Sequence, residues 1–285
     1  MSFAETALLG ALAGFTIYLG LPIGRLQLLS SRARVALAMF SVGILVFLLV
    51  DVLSHGFEIA EDAVTEFHDG TASFGHALAL ALLLIGGFTL GSAGLGILER
   101  RMQSTAPPPP PIAGGATELA TADQERLVVE ADPARARALQ TSLIIATAIG
   151  LHNFAEGLAI GVSAGTGEIG LATVLIIGFA LHNATEGFGI VGPLGDIRPS
   201  WGWIAVVGLI GGGPTFVGAM IGYNVTSEPL ELIFYAVAGG AILYVIGEIW
   251  HGMRRYGHRE LGLLMLSAGF AAGVITDFVV AYGGG

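Results

Sequence analysis

The chain has no cysteine and no lysine, and only 12% of its residues are charged. Without cysteine there is neither a disulfide framework nor a thiolate metal site. A soluble domain carries roughly twice that charged fraction. This scarcity argues against an ordinary cytosolic enzyme. A hydrophobic fraction of 54% argues against a disordered chain. The N-terminus is not expected to be a cleavable secretory leader. The first cationic residue is Arg25, and Glu5 sits where such a leader would be basic. A net charge of −10 speaks against nucleic acid as a partner.

What the sequence does contain is apolar length. The 285 residues have a mean hydropathy of +0.77 and include 44 glycines. Glycine at that density suits close helix packing in lipid. Stretches long enough to cross a bilayer recur along the whole chain. They predict an all-α membrane protein of eight transmembrane helices, over 3–24, 35–58, 73–98, 139–164, 169–193, 201–223, 230–252 and 260–282. The arginines alternate with this scheme. Arg25, Arg32 and Arg34 fall between spans one and two, and Arg100, Arg101, Arg126, Arg135 and Arg137 between three and four. Arg198 follows span five, and Arg254, Arg255 and Arg259 lie between seven and eight. Acids occupy the opposite connections: Glu58, Glu61, Asp62, Glu66 and Asp69 after span two, Glu168 after span four, Glu228 and Glu231 after span six. The positive-inside rule then places both termini outside.

Four regions follow. Residues 1–98 carry spans one to three, 139–193 carry spans four and five, and 194–285 carry spans six to eight. Between them, 99–138 reads as a cytoplasmic loop, largely disordered, with Pro107 to Pro111 extended as polyproline II. The loop has no histidine, so it offers no metal-sensing cluster and reads first as a linker. The lack of a targeting peptide and the single compact chain point to a prokaryotic plasma membrane. Small-residue faces would suit a homodimer without locating its interface.

The chemistry is concentrated in spans four and five. Leu151-His152-Asn153-Phe154-Ala155-Glu156-Gly157 and Leu181-His182-Asn183-Ala184-Thr185-Glu186-Gly187 repeat the pattern LHNxxEG thirty residues apart. Each copy falls near the middle of its span and puts His and Glu at i and i+4, on one helical face. Two such helices side by side gather two imidazoles and two carboxylates. That set suits Zn²⁺ and also Fe²⁺, Mn²⁺ or Cd²⁺. Asn153 and Asn183, about 100° round, can add carbonyl oxygens. Gly157 and Gly187 allow close backbone approach. The plainer reading is buried polar glue. It leaves two glutamates at the bilayer centre, where a charge costs about 2.5–3.5 kcal/mol on insertion scales. A divalent cation, or a proton, offsets that cost.

At these residues the sequence resembles the ZIP (Zrt/Irt-like protein) family of divalent-metal transporters, bacterial type, over essentially its whole length. The resemblance implies uptake of a divalent metal into the cytoplasm, the metal being transported substrate rather than cofactor. It maps ligation onto His152, Asn153, Glu156, His182, Asn183 and Glu186. It also implies a 3+2+3 arrangement of spans with inverted symmetry, and elevator-like sliding of a bundle that contains spans four and five. The chain departs from the family pattern at two points. Ala155 and Thr185 stand where bacterial members often have proline before the motif glutamate. Gly211-Gly212-Gly213-Pro214 carries no acid where two-metal members have one. One metal site is therefore expected rather than two.

Weaker signals flank the motifs. Asp51, His55 and Glu58 share a face at the outer end of span two and read either as an access path for cations or as an amphipathic helix end. Glu248 and His251, one turn apart at the inner end of span seven, read as an exit path, with Trp250 as an interfacial anchor. Two rivals remain beside a metal carrier. An intramembrane metalloenzyme would need a general base beside its metal, and no HExxH occurs. A proton- or sodium-coupled carrier of another solute would tolerate loss of both motif histidines.

Overall fold

Serines open four of the helices. The computed structural model describes residues 1–26, 29–104, 133–165, 169–224 and 227–282. In it Ser2, Ser30, Ser73 and Ser200 each accept a hydrogen bond from the amide three residues on. This satisfies one of the donors that a helix start leaves without an intrahelical partner. Helix α1 (Phe3–Phe15) continues through a 3₁₀ turn, Thr16–Leu19, to the short α2 (Pro22–Leu26). Next come α3 (Ser31–His68), α4 (Phe74–Thr89), a π-helical turn at Leu90–Gly94 and α5 (Leu95–Ser104). The second half comprises α6 (Pro133–Gly165), α7 (Ile169–Val191), α8 (Trp201–Gly222), α9 (Glu228–Met253) and α10 (Arg259–Tyr282). Among the described residues there is no strand. Seven helical segments there are long and apolar enough to cross a membrane. The chain is thus an all-α membrane protein.

One expectation changes. Span two was expected to end near residue 58, with an acidic connection after it. Instead α3 runs for 38 residues, about 57 Å at 1.5 Å per residue and well beyond a hydrocarbon layer of about 30 Å. The extension holds because one of its faces is apolar. Ala60 and Ala63 bury against Ala77, Leu80 and Leu84 of α4 and Leu232 and Ala236 of α9. Glu58, Glu61, Asp62 and Glu66 therefore stand exposed on a helix, not in a loop. The turn that remains is short and pivots on Gly70 at φ 75°, where a side chain would be strained. Helices also reach into both ends of the expected 99–138 connection. Helix α5 continues to Ser104 and α6 starts at Pro133. Pro107 to Pro111 and the rest of 105–132 lie outside the described residues.

The helices pack as two groups. In one, α6 lies along α8, α8 along α1, and α7 against α6 and the α1 segment. In the other, α3 packs on α10 and α9, and α9 on α4. The groups meet chiefly through α9 against α6 and α3 against α7. The main core at that junction includes Ile17, Leu45, Ile145, Ile149, Ile242 and Ile249.

Glycine sets the closest contacts inside the first group. A methyl group on Gly157 of α6 would strike the Thr215 carbonyl of α8, and one on Gly218 of α8 would strike the Phe154 carbonyl of α6. Gly187 of α7 lies against the Ile17 carbonyl. The motif glycines thus seat their helices on α8 and on span one, not on each other. The glycines of α8 from Gly208 to Gly222 meet Tyr18, Ile17, Gly14, Phe154 and Leu158 within the same group.

Candidate metal centre

Helix α6 presents His152 and Glu156 one turn apart, as the i and i+4 spacing requires. His152 Nε2 lies 2.8 Å from Glu156 Oε1. Helix α7 brings Glu186 to the same nitrogen, with Oε1 at 3.9 Å. His152, Glu156 and Glu186 are 0%, 4% and 1% exposed. An imidazole and two carboxylates are therefore held together out of contact with bulk solvent. His182 lies in α7, and its side chain is outside the described residues.

The two asparagines are fully buried beside this group, and both are oriented by backbone. Asn153 Nδ2 donates to Gly211 O of α8 at 2.9 Å, and Asn183 Nδ2 donates to Ala13 O of α1 at 3.1 Å. With the amide nitrogens committed, each side chain has its oxygen left to offer. Asn153 Oδ1 and Asn183 Oδ1 are buried with no hydrogen-bond partner among the described residues. A buried carbonyl oxygen left unsatisfied costs about 1–3 kcal/mol. A cation is one partner that would remove that cost. Next to Glu186, Ser41 Oγ of α3 lies 3.0 Å from Thr185 O and 3.1 Å from its own Leu37 O. The threonine at the proline position thus contributes a carbonyl contact to the neighbouring group of helices.

Asp51, His55 and Glu58, expected to form an access path, lie along α3. Asp51 is half-buried and within electrostatic range of His55, Asp277, His152 and Glu156. His55 is exposed at its edge and stacks on Tyr235 of α9, with ring centroids 5.4 Å apart. Tyr235 in turn donates to Glu231 Oε1 at 3.3 Å. Glu58 stands further out, exposed. At the other end, Glu248 is half-buried and His251 exposed. Nearby, Glu99 accepts from Tyr244 Oη at 2.7 Å and from Thr141 Oγ1 at 3.2 Å, tying α5, α9 and α6 together. Tyr235, Tyr244 and Glu99 were not singled out from the sequence, because no spacing rule ties them to the LHNxxEG motifs. Among the described residues no group of three or more His, Asp or Glu side chains stands in metal-holding geometry. What the described residues do bring together is one imidazole and two carboxylates, with the buried Asn153 and Asn183 on the same two helices.

Comparison with known proteins bears on the same stretch. The family described as ZIP Zinc transporter matches residues 113–271, more than half of the chain and inclusive of both motifs. Zinc transporter ZIPB of Bordetella bronchiseptica is 27% identical over 151 residues, 51% of this chain and 48% of that protein. The match therefore spans about half the length of that curated relative. The chain belongs to the ZIP zinc transporter family, as a multi-pass plasma-membrane protein of bacterial type and not an enzyme.

Proposed function

We propose that the protein carries a divalent transition metal, Zn²⁺ in preference to Fe²⁺, Mn²⁺ or Cd²⁺, into the cytoplasm. The site is His152, Asn153, Glu156, His182, Asn183 and Glu186, and access alternates between the two sides of the membrane. The observation that carries this reading is the buried meeting of His152, Glu156 and Glu186 across α6 and α7. Charged groups inside a membrane are expensive to keep and mark pathways for ions. Neutral imidazole, carboxylate and amide oxygen together suit zinc. The relative's printed name, a zinc transporter, supports the same cargo.

The topology belongs to the proposal as well. Helix α7 is 23 residues long, enough for about 34 Å. Counted with the seven spanning segments it gives eight spans, and the arginine pattern then puts both termini outside. The packing supports a 3+2+3 arrangement with inverted symmetry. Exchange spans one with six, two with seven, three with eight and four with five. The contact of two with eight then becomes that of seven with three, and the contact of four with six becomes that of five with one; all four are extensive. The same two groups, spans one, four, five and six against two, three, seven and eight, supply a bundle that could slide and a frame to slide against. Residues 1–98, 99–138, 139–193 and 194–285 stand as the corresponding regions. Asp51, His55 and Glu58 form the access path, and Glu248 and His251 the exit.

The test is uptake of radiolabelled zinc into proteoliposomes by the wild type and by His152→Ala with His182→Ala. Saturable uptake lost in the double variant is the expected result. Inserted, folded wild-type protein that moves no metal would overturn the reading. Sodium- or proton-driven flux of another solute that survives loss of both histidines would establish the rival carrier.

A further inference from the structure

A cleft of about 450 Å³ opens between the start of α3, the end of α9 and the start of α10. Arg254, His258 and Arg259 line it and are exposed. Its remaining wall is apolar and includes Met39, Met253 and Leu263. Trp250, an aromatic of the kind that sits at the membrane–water boundary, lines it as well. The volume is within the range of small-molecule sites.

Three arginines at this end of the molecule are held by neighbouring groups. Arg34 pairs with Asp196 at 3.2 Å, Arg25 donates to Pro199 O and lies over Trp201, and Arg255 donates to Pro193 O while lying over Tyr256. These three are fastened to the protein's own groups. Arg254 and Arg259 have no acidic partner among the described residues and face the cleft together. A cationic rim over an apolar wall, beside an interfacial tryptophan, matches one ligand chemistry: a phosphodiester with no cation of its own, attached to acyl chains. Basic pockets between transmembrane helices are known to hold anionic headgroups in this way.

We infer that this cleft is a binding site for an anionic phospholipid, with the phosphate on Arg254 and Arg259 and an acyl chain along Met39, Met253 and Leu263. Neither the metal centre nor the proposed cargo enters this inference. The site is set by side chains at the far end of α9 from Tyr235 and His55.

The experiment uses the full chain carrying Trp201→Phe and Trp203→Phe, which leaves Trp250 as the sole tryptophan. The protein is reconstituted with phosphatidylcholine plus increasing phosphatidylglycerol, with bromine on the acyl chains of one lipid at a time. The expected result is quenching of Trp250 that reports association of bromo-phosphatidylglycerol about tenfold stronger than of bromo-phosphatidylcholine. That preference falls to unity in Arg254→Gln with Arg259→Gln. Equal quenching by the two lipids overturns the site, as does a preference that persists in the double variant. Loss of the preference on adding millimolar inorganic phosphate would show a free-anion site and overturn the lipid assignment. Lipid retention by wild-type protein in native mass spectrometry needs no variant. Phosphatidylglycerol adducts in excess of phosphatidylcholine adducts are expected there, and equal adducts count against the proposal.

Discussion

Glu186 of α7 reaches to 3.9 Å from His152 Nε2 of α6. The two motif copies therefore meet as side chains and not only as a sequence repeat. If Glu186 is a metal ligand, Glu186→Gln keeps its shape and removes its charge. Zinc uptake should fall by at least about tenfold, since even supporting groups around a metal are worth 10–100-fold. The melting temperature in detergent should not fall, because a buried charge has been neutralised without leaving a hole. Undiminished uptake by the folded variant would remove Glu186 from the ligand set.

Protons compete for the same atoms. Metal needs the imidazoles neutral and the carboxylates ionised. The apparent KM for zinc should therefore rise as pH falls from about 7.5 to 5.5, the range over which an ordinary imidazole gains its proton. Initial rates in proteoliposomes with internal pH held constant measure this directly. A KM that is flat, or that falls on acidification, contradicts ligation by histidine and favours a proton-driven step.

Much of this was legible in the sequence, for reasons that differ by element. The apolar runs located most of the helix ends to within a few residues, because lipid leaves the backbone few options but to bond internally. The LHNxxEG repeat placed His152 and Glu156 within reach of one another because i and i+4 residues share a face whatever the tertiary context. What could not be read depended on partners distant in the chain. The ten-residue extension of α3 rests on Ala60 and Ala63 finding α4 and α9. The orientation of Asn153 and Asn183 rests on carbonyls of α8 and α1. The role of Gly157 likewise came from α8, a helix that the motif itself does not name.

That glycine gives a sharp packing test. A methyl group at Gly157 would collide with backbone atoms of Thr215 and Ala219, whereas one at Gly247 meets nothing within 4 Å. Gly157→Ala should destabilise the protein by about 1–3 kcal/mol through overpacking. Gly247→Ala should leave stability unchanged or slightly raised, since alanine is the better helix former. Thermal melts in one detergent compare them. Equal melting temperatures would show that α6 and α8 are not in backbone contact.

Asp51 separates access from ligation. It lies within electrostatic range of His152 and Glu156 but belongs to α3, in the other group of helices. If it draws cations inward, Asp51→Asn should cost about 1 kcal/mol of attraction, or about fivefold in KM, with kcat little changed. A collapse of kcat with KM unchanged would instead make Asp51 part of the transport step.

The asparagines decide between a metal site and polar glue. Asn153→Ala removes the donor to Gly211 O and leaves that carbonyl buried without its side-chain partner, as Asn183→Ala does for Ala13 O. Each should lower stability by about 1–3 kcal/mol in metal-free buffer. Glue and ligand both predict that loss, so it settles nothing alone. They part when zinc is added. A ligand stabilises the folded protein in proportion to the logarithm of its saturation. If the Asn153 and Asn183 oxygens bind metal, the zinc-induced rise in melting temperature should be clearly smaller in both variants than in the wild type. Glue leaves that rise unchanged while lowering the baseline. A full zinc-induced rise in both alanine variants would confine the ligand set to the histidines and glutamates.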